Sequence, residues 1–248
     1  MTAIYVLWLR ELKRYTRSRV QIIASLGQPV LYFLVLGYGL SPVFQRSGAG
    51  SYVQFVAPGI ISMTVLFSAM FSGVALLWDR QFGFLKATLV APVPRLHIMI
   101  GRTAGAATTA MLQGLLVALV CVLAGFRPVS LALLPLAVGF LALIALVFAA
   151  VGATLGSTLK EMQGFQMVIN FLVLPIFFLS GSLFPLQNLP AALSILTRID
   201  PLSYGVDGLR TALIGQAHFG IVTDTAVLGV LAAIMVGIGV WRFSRIEV

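Results

Sequence analysis

The sequence predicts an all-α membrane protein with six transmembrane helices. Three observations predict this fold class: 60% of the 248 residues are hydrophobic, only 9% are charged, and the mean hydropathy is +1.05. A soluble globular chain carries about 25% charged residues, so most of this surface must face lipid. The chain is also long enough for six membrane spans, since each span needs about 20 mostly apolar residues.

Six apolar runs have the length of a membrane span, and more polar segments separate them. They cover residues 22–40, 55–77, 98–124, 131–156, 165–184 and 223–242. A short turn around Arg127 and Pro128 joins the third run to the fourth. Because no Ser/Gly-rich or Pro-rich linker divides the chain, we expect a single domain over residues 1–248.

Charge in the loops predicts the orientation of the spans. Six spans place both termini on one side, and twelve of the 16 basic residues fall on that side. Loops rich in Lys and Arg stay in the cytoplasm, so we predict that both termini face the cytoplasm. The twelve are Arg10, Lys13, Arg14, Arg17, Arg19, Arg80, Lys86, Arg95, Arg102, Lys160, Arg242 and Arg245, and the other side holds Arg46, Arg127, Arg198 and Arg210. This distribution of the +9 net charge argues against a nucleic-acid-binding face.

Residues 3–19, before the first span, predict an amphipathic helix. Apolar and aromatic side chains recur on one face at helical spacing: Ile4, Leu7, Trp8, Leu12 and Tyr15. The basic residues lie mostly on the other face: Arg10, Lys13, Arg14 and Arg17. Such a helix can lie in the plane of the lipid headgroups. Two interpretations stay open, an anchor that only sets orientation and a helix that also docks a cytoplasmic partner.

The segment WDRQFGFLKATLVAPVPR, residues 78–95, is a polar stretch between the second and third spans. Its apolar residues follow a helical row: Trp78, Phe82, Leu85 and Leu89. Its charged residues lie largely away from that row, and Pro92 and Pro94 then break the helix. The segment is longer than the two to eight residues that usually join neighbouring helices. We expect a short surface helix with its aromatic side toward the membrane and its charged side outward.

Four stretches in order resemble the membrane subunit of type-2 ATP-binding-cassette (ABC) exporters, which export drugs, polysaccharides and lipids in bacteria. They are VQFVAPGIISM (53–63), WDRQFGFLKATLVAPVPR (78–95), GFQMVINFLVLPIFFLSGSLFPLQNLP (164–190) and DPLSYGVDGLR (200–210). The resemblance spans nearly the whole chain. It implies a multi-pass permease of the inner membrane that exports a hydrophobic or amphipathic substrate.

The resemblance also implies which residues meet the ATPase subunit. The loop after the second span corresponds to the coupling helix, with Asp79, Arg80, Phe82, Gly83, Phe84 and Lys86 as its contact surface. The N-terminal helix corresponds to a connecting helix that touches the ATPase through Arg10, Lys13, Arg14 and Arg17. The chain has no G-x-x-x-x-G-K-[ST] motif, so we expect ATP and Mg²⁺ to bind to two separate ATPase subunits. Two permeases then act together, either as a homodimer or as a pair of related chains.

The resemblance places a substrate pathway between the second and fifth spans of the two copies. The candidate residues are Phe67, Met70, Phe71, Asn170, Phe171 and Phe177, and for several of them simple packing is the alternative. Residues 185–222 correspond to a re-entrant hairpin on the outer side, and Phe178 and Phe184 are the candidate outer gate. We expect the hairpin's polar residues to pair among themselves: Asp200, Tyr204, Asp207 and Arg210.

Further expectations concern isolated residues within the spans. Arg102 either reaches back to the interface or pairs with Asp79 or Glu161. The amides in the spans are expected to bond to neighbouring helices: Gln28, Gln113 and Gln166. Small residues four apart predict close helix contacts: Gly101 with Gly105, Gly152 with Gly156, and Gly229 with Ala233 and Gly237.

Three other functions are alternatives to transport driven by ATP. A transporter driven by an ion gradient usually needs ionisable residues near the bilayer centre, and the sequence has none at a span centre. An intramembrane enzyme needs paired catalytic groups, and a metal site needs spaced ligands; neither pattern occurs. A membrane partner that transports nothing stays open.

Overall fold

The computed structural model describes residues 2–46, 51–84, 93–159, 161–187 and 189–244, and the secondary structure of these ranges is helical without a strand. In chain order the α-helices are α1 (Thr2–Arg17), α2 (Arg19–Gly39), α3 (Ser41–Arg46), α4 (Tyr52–Phe71), α5 (Val74–Gln81), α6 (Arg95–Leu123), α7 (Leu134–Thr158), α8 (Met162–Leu179), α9 (Ala191–Ile199), α10 (Pro201–Ile214) and α11 (Ile221–Ser244). A 3₁₀ turn, Leu131–Leu133, precedes α7.

Six helical segments are long and apolar enough to cross a membrane, which confirms the predicted number of spans. They are Ile22–Arg46, Tyr52–Gln81, Arg95–Leu123, Leu131–Thr158, Met162–Leu179 and Ile221–Ser244. The fifth prediction, 165–184, extended too far: α8 ends at Leu179, and Gly181 follows with a φ of 71°. A backbone in this left-handed region ends a helix and suits glycine.

Hydrogen bonds between loops show which span ends lie together. At one end the Tyr38 hydroxyl donates to the Ala124 carbonyl, and the Val129 N–H donates to the Leu213 carbonyl. At the other end Arg95, at the start of α6, donates to the carbonyl of Ser244, the last residue of α11. Since α1 also lies there, both termini are at the same end, which we call the N-terminal end of the bundle. The other is the opposite end.

Helix α4 forms the centre of the bundle, and α2, α6, α7 and α10 pack around it. Its side chains are almost all buried, including Val56, Ile60 and Leu66, which have no exposed surface. The second span, predicted over 55–77, contains a break at Ser72 and Gly73 between α4 and α5. Side chains from this span fill the core of the fold.

The break in the second span packs directly on the backbone of α7. A Cβ added at Gly73 would collide with the Gly152 carbonyl, and one added at Gly156 would collide with the Gly73 carbonyl. The predicted close contact at Gly152 and Gly156 is therefore confirmed. Lipid gives helices little hydrophobic reason to associate, so backbone contacts of this kind carry much of the packing.

Helix α1 packs along α6 at the N-terminal end. Gly101 leaves room for Ile4 and Leu7, Gly105 leaves room for Glu11, and the Trp8 indole N–H donates to Thr108 Oγ1 at 3.0 Å. The first glycine pair therefore forms the contact site for α1, and the apolar face of α1 packs on protein. The third predicted contact is wrong within this chain, because Gly229 and Gly237 have no neighbouring atom within 4 Å of an added Cβ.

Helices α9 and α10 lie between the fifth and sixth spans and are too short to cross a bilayer. Helix α10 is largely buried, and its Gly205 and Gly208 rest on Ile144 and Phe140 of α7. Helix α8 is peripheral, and its outward side is apolar, with Phe171 83% exposed. A short helix inserted among long ones is the packing expected of a segment that enters the bundle without crossing it.

Candidate functional site

Asp79, the sixth residue of α5, joins three helices at the N-terminal end. Asp79 is only 6% exposed. Arg102 Nη2 of α6 donates to Oδ2, and Arg10 Nη2 of α1 donates to Oδ1 at 3.1 Å. We call these three residues the Asp79 junction. Because α5 continues the second span, the junction ties that span to α1 and to the third span.

The two arginines of the junction differ in exposure. Arg102 is 7% exposed, whereas the side chain of Arg10 is 40% exposed. A buried guanidinium is tolerated when a carboxylate compensates its charge. The ion pair of Arg102 with Asp79 is therefore the part of the junction that holds the helices together. Of the predictions for Arg102, pairing with Asp79 is confirmed, and reaching back to the interface or pairing with Glu161 is not what the structure shows.

The exposed side of α5 is aromatic, and the prediction that Asp79 lies on the outward charged side is wrong. Trp78 and Phe82 stack with ring centroids 5.4 Å apart, and both are about half or more exposed, as is Phe84. Asp79 points inward because its two arginine partners lie in α1 and α6. Arg80 is half-buried, and Gly83 has a φ of 77°. Lys86, the last predicted coupling residue, lies outside the described residues together with Leu85 and Leu89.

Half of the predicted docking residues on α1 bond within the chain. Arg10 belongs to the Asp79 junction, and Arg14 Nη2 pairs with Glu11 Oε2 at 2.7 Å. Lys13 and Arg17 are exposed. The surface that α1 and α5 offer at this end therefore combines these two cations with the aromatic side chains of Trp78, Phe82 and Phe84.

A cavity of about 660 Å³ opens among α1, α2, α4, α5 and α6. Phe67 and Phe71, two of the predicted pathway residues, line it with their rings stacked 6.3 Å apart. Gln28 and Gln113 also line it, and neither has a hydrogen-bond partner in the part of the chain that the structure describes. The expectation that these two amides bond to neighbouring helices is therefore wrong.

The other predicted pathway residues separate into buried and exposed ones. Met70 and Phe177 are buried inside the subunit, so neither can face a second copy as predicted. The physical reason for Met70 is the contact of its backbone carbonyl with Gly152, which turns this part of α4 inward. Asn170 and Phe171 are exposed on the outward side of α8.

At the opposite end, the turn after α8 is held by three side chains. Arg210 Nη2 donates to the Gly181 carbonyl at 3.0 Å, and its guanidinium lies 4.0 Å from the Phe55 ring centroid. The Tyr52 hydroxyl donates to the Leu183 carbonyl at 2.8 Å. Of the two candidate gate residues at this turn, Phe178 is exposed and Phe184 is half-buried. The turn is thus fixed in place, with Phe178 on its outer side.

The four residues predicted to pair, Asp200, Tyr204, Asp207 and Arg210, bond to backbone groups and form no hydrogen bond or ion pair with one another, which corrects the prediction. Asp207 accepts hydrogen bonds from the N–H groups of His218 at 2.8 Å and Phe219 at 2.7 Å. Asp200 accepts one from the Leu202 N–H at 3.0 Å, and the Tyr204 hydroxyl donates to the Arg198 carbonyl. Irregular backbone at membrane depth needs such partners because no water is available there.

Sequence reasoning missed Tyr52 and Phe55, which hold the turn after α8, and Asp224. Both aromatics are buried near the start of α4, where their side chains look like ordinary apolar packing in the sequence. Asp224 is completely buried in the first turn of α11, beside Asp207. The one signal for it is an acidic residue just inside the start of a span, where a helix N-terminus favours negative charge.

Comparison with known proteins agrees with this arrangement. The sequence model of the ABC-2 type transporter family matches residues 2–214. Nodulation protein J of Rhizobium leguminosarum bv. viciae is 29% identical over 224 residues, which cover 89% of this chain and 86% of the relative. The inner membrane transport permease YadH of Escherichia coli K12 is 27% identical over 228 residues, 91% of this chain and 88% of the relative. The chain is therefore a multi-pass transport permease of the inner membrane and belongs to the ABC-2 type transporter family.

Proposed function

We propose that this chain is the membrane-spanning subunit of an ATP-driven exporter. Two copies act with two copies of a separate ABC ATPase, which binds ATP and Mg²⁺. The N-terminal end of the bundle faces the cytoplasm, and a hydrophobic or amphipathic substrate leaves at the opposite end. The family and the permease name of the Escherichia coli relative support this proposal, as does the excess of basic residues at the N-terminal end.

The Asp79 junction is the observation that carries the proposal. A force on the exposed aromatic side of α5 reaches Asp79 within the same helix. The buried ion pair with Arg102 passes it to α6, and the more exposed contact with Arg10 links α5 to α1 more weakly. The break at Ser72 and Gly73 lies between α5 and the buried helix α4, and Gly73 packs on the backbone of α7 at Gly152 and Gly156. A displacement of α5 would therefore also reach α7 through this contact.

The second copy would pack against the outward side of α8. Asn170, Phe171 and Phe178 lie there, and their exposure leaves them available to a partner. Closed two-fold dimers are the commonest symmetric assemblies, so a homodimer is the simplest form of the proposal. Phe178 of both copies would then narrow the exit at the opposite end.

Charge reversal in the coupling loop tests the proposal. The permease is co-expressed with the ABC ATPase encoded beside it, purified, and reconstituted in proteoliposomes for ATPase and transport measurements. We expect Arg80→Glu to weaken ATPase binding about tenfold or more, because like charges then face each other at the contact. Arg19→Glu, at an exposed arginine outside the loop, is the matched control and should bind as the wild type does.

The same preparation separates the two energy sources. An ATPase that binds and drives substrate movement, with no response to an ionophore that collapses ion gradients, supports the exporter. Substrate movement that needs the gradient and ignores ATP would establish the alternative, transport driven by an ion gradient. A chain that binds no ATPase and moves no substrate would leave only a membrane partner without transport.

A further inference from the structure

The cavity among α1, α2, α4, α5 and α6 contains two amide side chains without a hydrogen-bond partner in the described part of the chain. Gln28 enters it from the middle of the first span, and Gln113 enters it from the third span. Neither forms a hydrogen bond with a described residue of the chain. Gln113 is buried, whereas Gln28 is exposed. A buried amide without a partner is costly, so the partner of Gln113 must come from outside the chain.

Four of the hydroxyl groups around these amides can accept hydrogen bonds but have already donated their own. Each donates to a carbonyl of its own helix, with distances of 2.8 Å for Ser25, 2.9 Å for Thr64 and Thr109, and 2.6 Å for Ser72. Their lone pairs stay available on the cavity side. The wall therefore offers acceptors together with the N–H donors of the two amides, and a ligand whose hydroxyl or amide groups both donate and accept would satisfy it.

The cavity wall carries no excess charge. Its acidic and basic residues are Glu11 and Arg14, which form an ion pair at 2.7 Å. The remaining titratable group on the wall is Tyr15, whose buried hydroxyl has no hydrogen-bond partner among the described residues and whose pKa is raised by burial. A charged head group would lose its hydration here without gaining a counter-charge.

Aromatic rings form the other side of the cavity. Phe67 and Phe71 stack on α4, and Trp78 extends this surface toward the N-terminal end. Aromatic and aliphatic walls with few polar groups bind the apolar part of an amphiphile. Together the polar side and the aromatic side of the cavity can bind a molecule with one polar part and one apolar part.

We propose that this cavity binds an uncharged amphiphile whose head group carries several hydroxyl or amide donors. The head group meets Gln28 and Gln113, and the apolar part lies on Phe67, Phe71 and Trp78. The inference rests on the proposed function and names the class of its substrate. It places the binding site inside one subunit, in the half of the membrane nearer the N-terminal end.

Binding of radiolabelled dodecyl maltoside to the full-length permease in lipid nanodiscs tests the inference. Empty nanodiscs give the background, and no ATPase or nucleotide is present. The competitor is octaethylene glycol dodecyl ether, which has the same tail and an uncharged head with acceptors but one donor. We expect saturable maltoside binding and little competition by the ether. Equal competition by the ether, or by dodecyltrimethylammonium, would overturn the assignment of an uncharged, donor-rich head.

Three substitutions of glutamine by leucine give the matched comparison. Gln28→Leu and Gln113→Leu should each weaken maltoside binding about tenfold, since each removes a hydrogen-bonding group from the wall. Gln166→Leu, at an exposed amide on α8, should bind as the wild type does. If a cavity variant fails to fold, Thr109→Val removes one acceptor with little change of shape and should weaken binding too. Unchanged binding in the folded cavity variants would overturn the proposal.

These outcomes are independent of the ATPase. A permease that binds the ATPase and responds to Arg80→Glu, yet does not bind the maltoside, would overturn the cavity proposal alone. A permease that binds the maltoside through Gln28 and Gln113, yet associates with no ATPase, would overturn the exporter and leave the site in place.

Discussion

The two ends of the molecule both bury charged side chains, but they give those charges different partners. At the N-terminal end, Asp79 meets the guanidinium groups of Arg10 and Arg102, which come from two other helices. At the opposite end, Arg210 donates to the Gly181 carbonyl, and Asp207 accepts from the N–H groups that precede α11. One end joins helices through side chains, and the other fixes loops through their backbone.

The difference fits two mechanical tasks. A bond between side chains lets two helices shift slightly while the side chains keep contact, because both partners have rotatable bonds. A bond to a backbone carbonyl or N–H of a turn holds the turn itself, and the turn after α8 also lies against Gly59 of α4 without space for a side chain. We therefore expect motion at the Asp79 junction and rigidity around Asp207 and Arg210.

Asp79→Asn should have the largest effect. It leaves the buried guanidinium of Arg102 without a counter-charge, which typically costs about 3–5 kcal/mol of folding free energy. Thermal unfolding of the permease in nanodiscs measures the loss, and Arg80→Gln, at a half-buried arginine outside the junction, is the control. The double variant Asp79→Asn/Arg102→Met should regain much of the stability. A single variant as stable as the wild type would show that the junction does not hold the helices together.

Asp207→Asn should have a smaller and more local effect. The amide keeps an acceptor oxygen for the N–H groups of His218 and Phe219, but the charge is lost, and a hydrogen bond to a charged group contributes about 1.5–3 kcal/mol. Hydrogen exchange should become faster at residues 216–220 and stay unchanged in α5. The exposed residue Arg198 provides the control variant, Arg198→Gln. Faster exchange spread evenly over both ends would contradict the separation of the two regions.

Much of the fold could be predicted because apolar length and loop charge are properties of the sequence itself. All six spans were found, since each contains about 20 apolar residues whatever its neighbours are. The end of α8 was misplaced because the span was bounded by its apolar length, which continues past Ser180 and Gly181 to Phe184. The turn at these residues is fixed by Tyr52 and Arg210 from distant parts of the chain. Boundaries set by tertiary contacts cannot be read from a local pattern.

The ion pair of Arg102 with Asp79 was the part of the site that the sequence could predict, because opposite charges buried near each other must pair. Pairing of Arg102 with Asp79 was among the options because few acidic residues lie near that end of the bundle. The inward direction of Asp79 was missed, since helical periodicity shows which residues share a face but not which face turns inward. The backbone partners of Asp207 were missed because every residue carries an N–H group, and only the fold selects three of them.

Arg10→Gln should have the smallest effect, and it separates the contribution of Arg10 to the stability of the junction from that of Arg102. The Arg10 side chain is 40% exposed, so its contact with Asp79 is screened by solvent and should contribute about 0.2–1 kcal/mol. A double-mutant cycle with Asp79→Asn measures that coupling, with Lys13→Gln on the same helix as the control. A coupling as large as that of Arg102 would mean that α1 is locked to α5. The small value expected here would leave α1 able to move against α5, while the buried pair of Asp79 with Arg102 keeps α5 and α6 together.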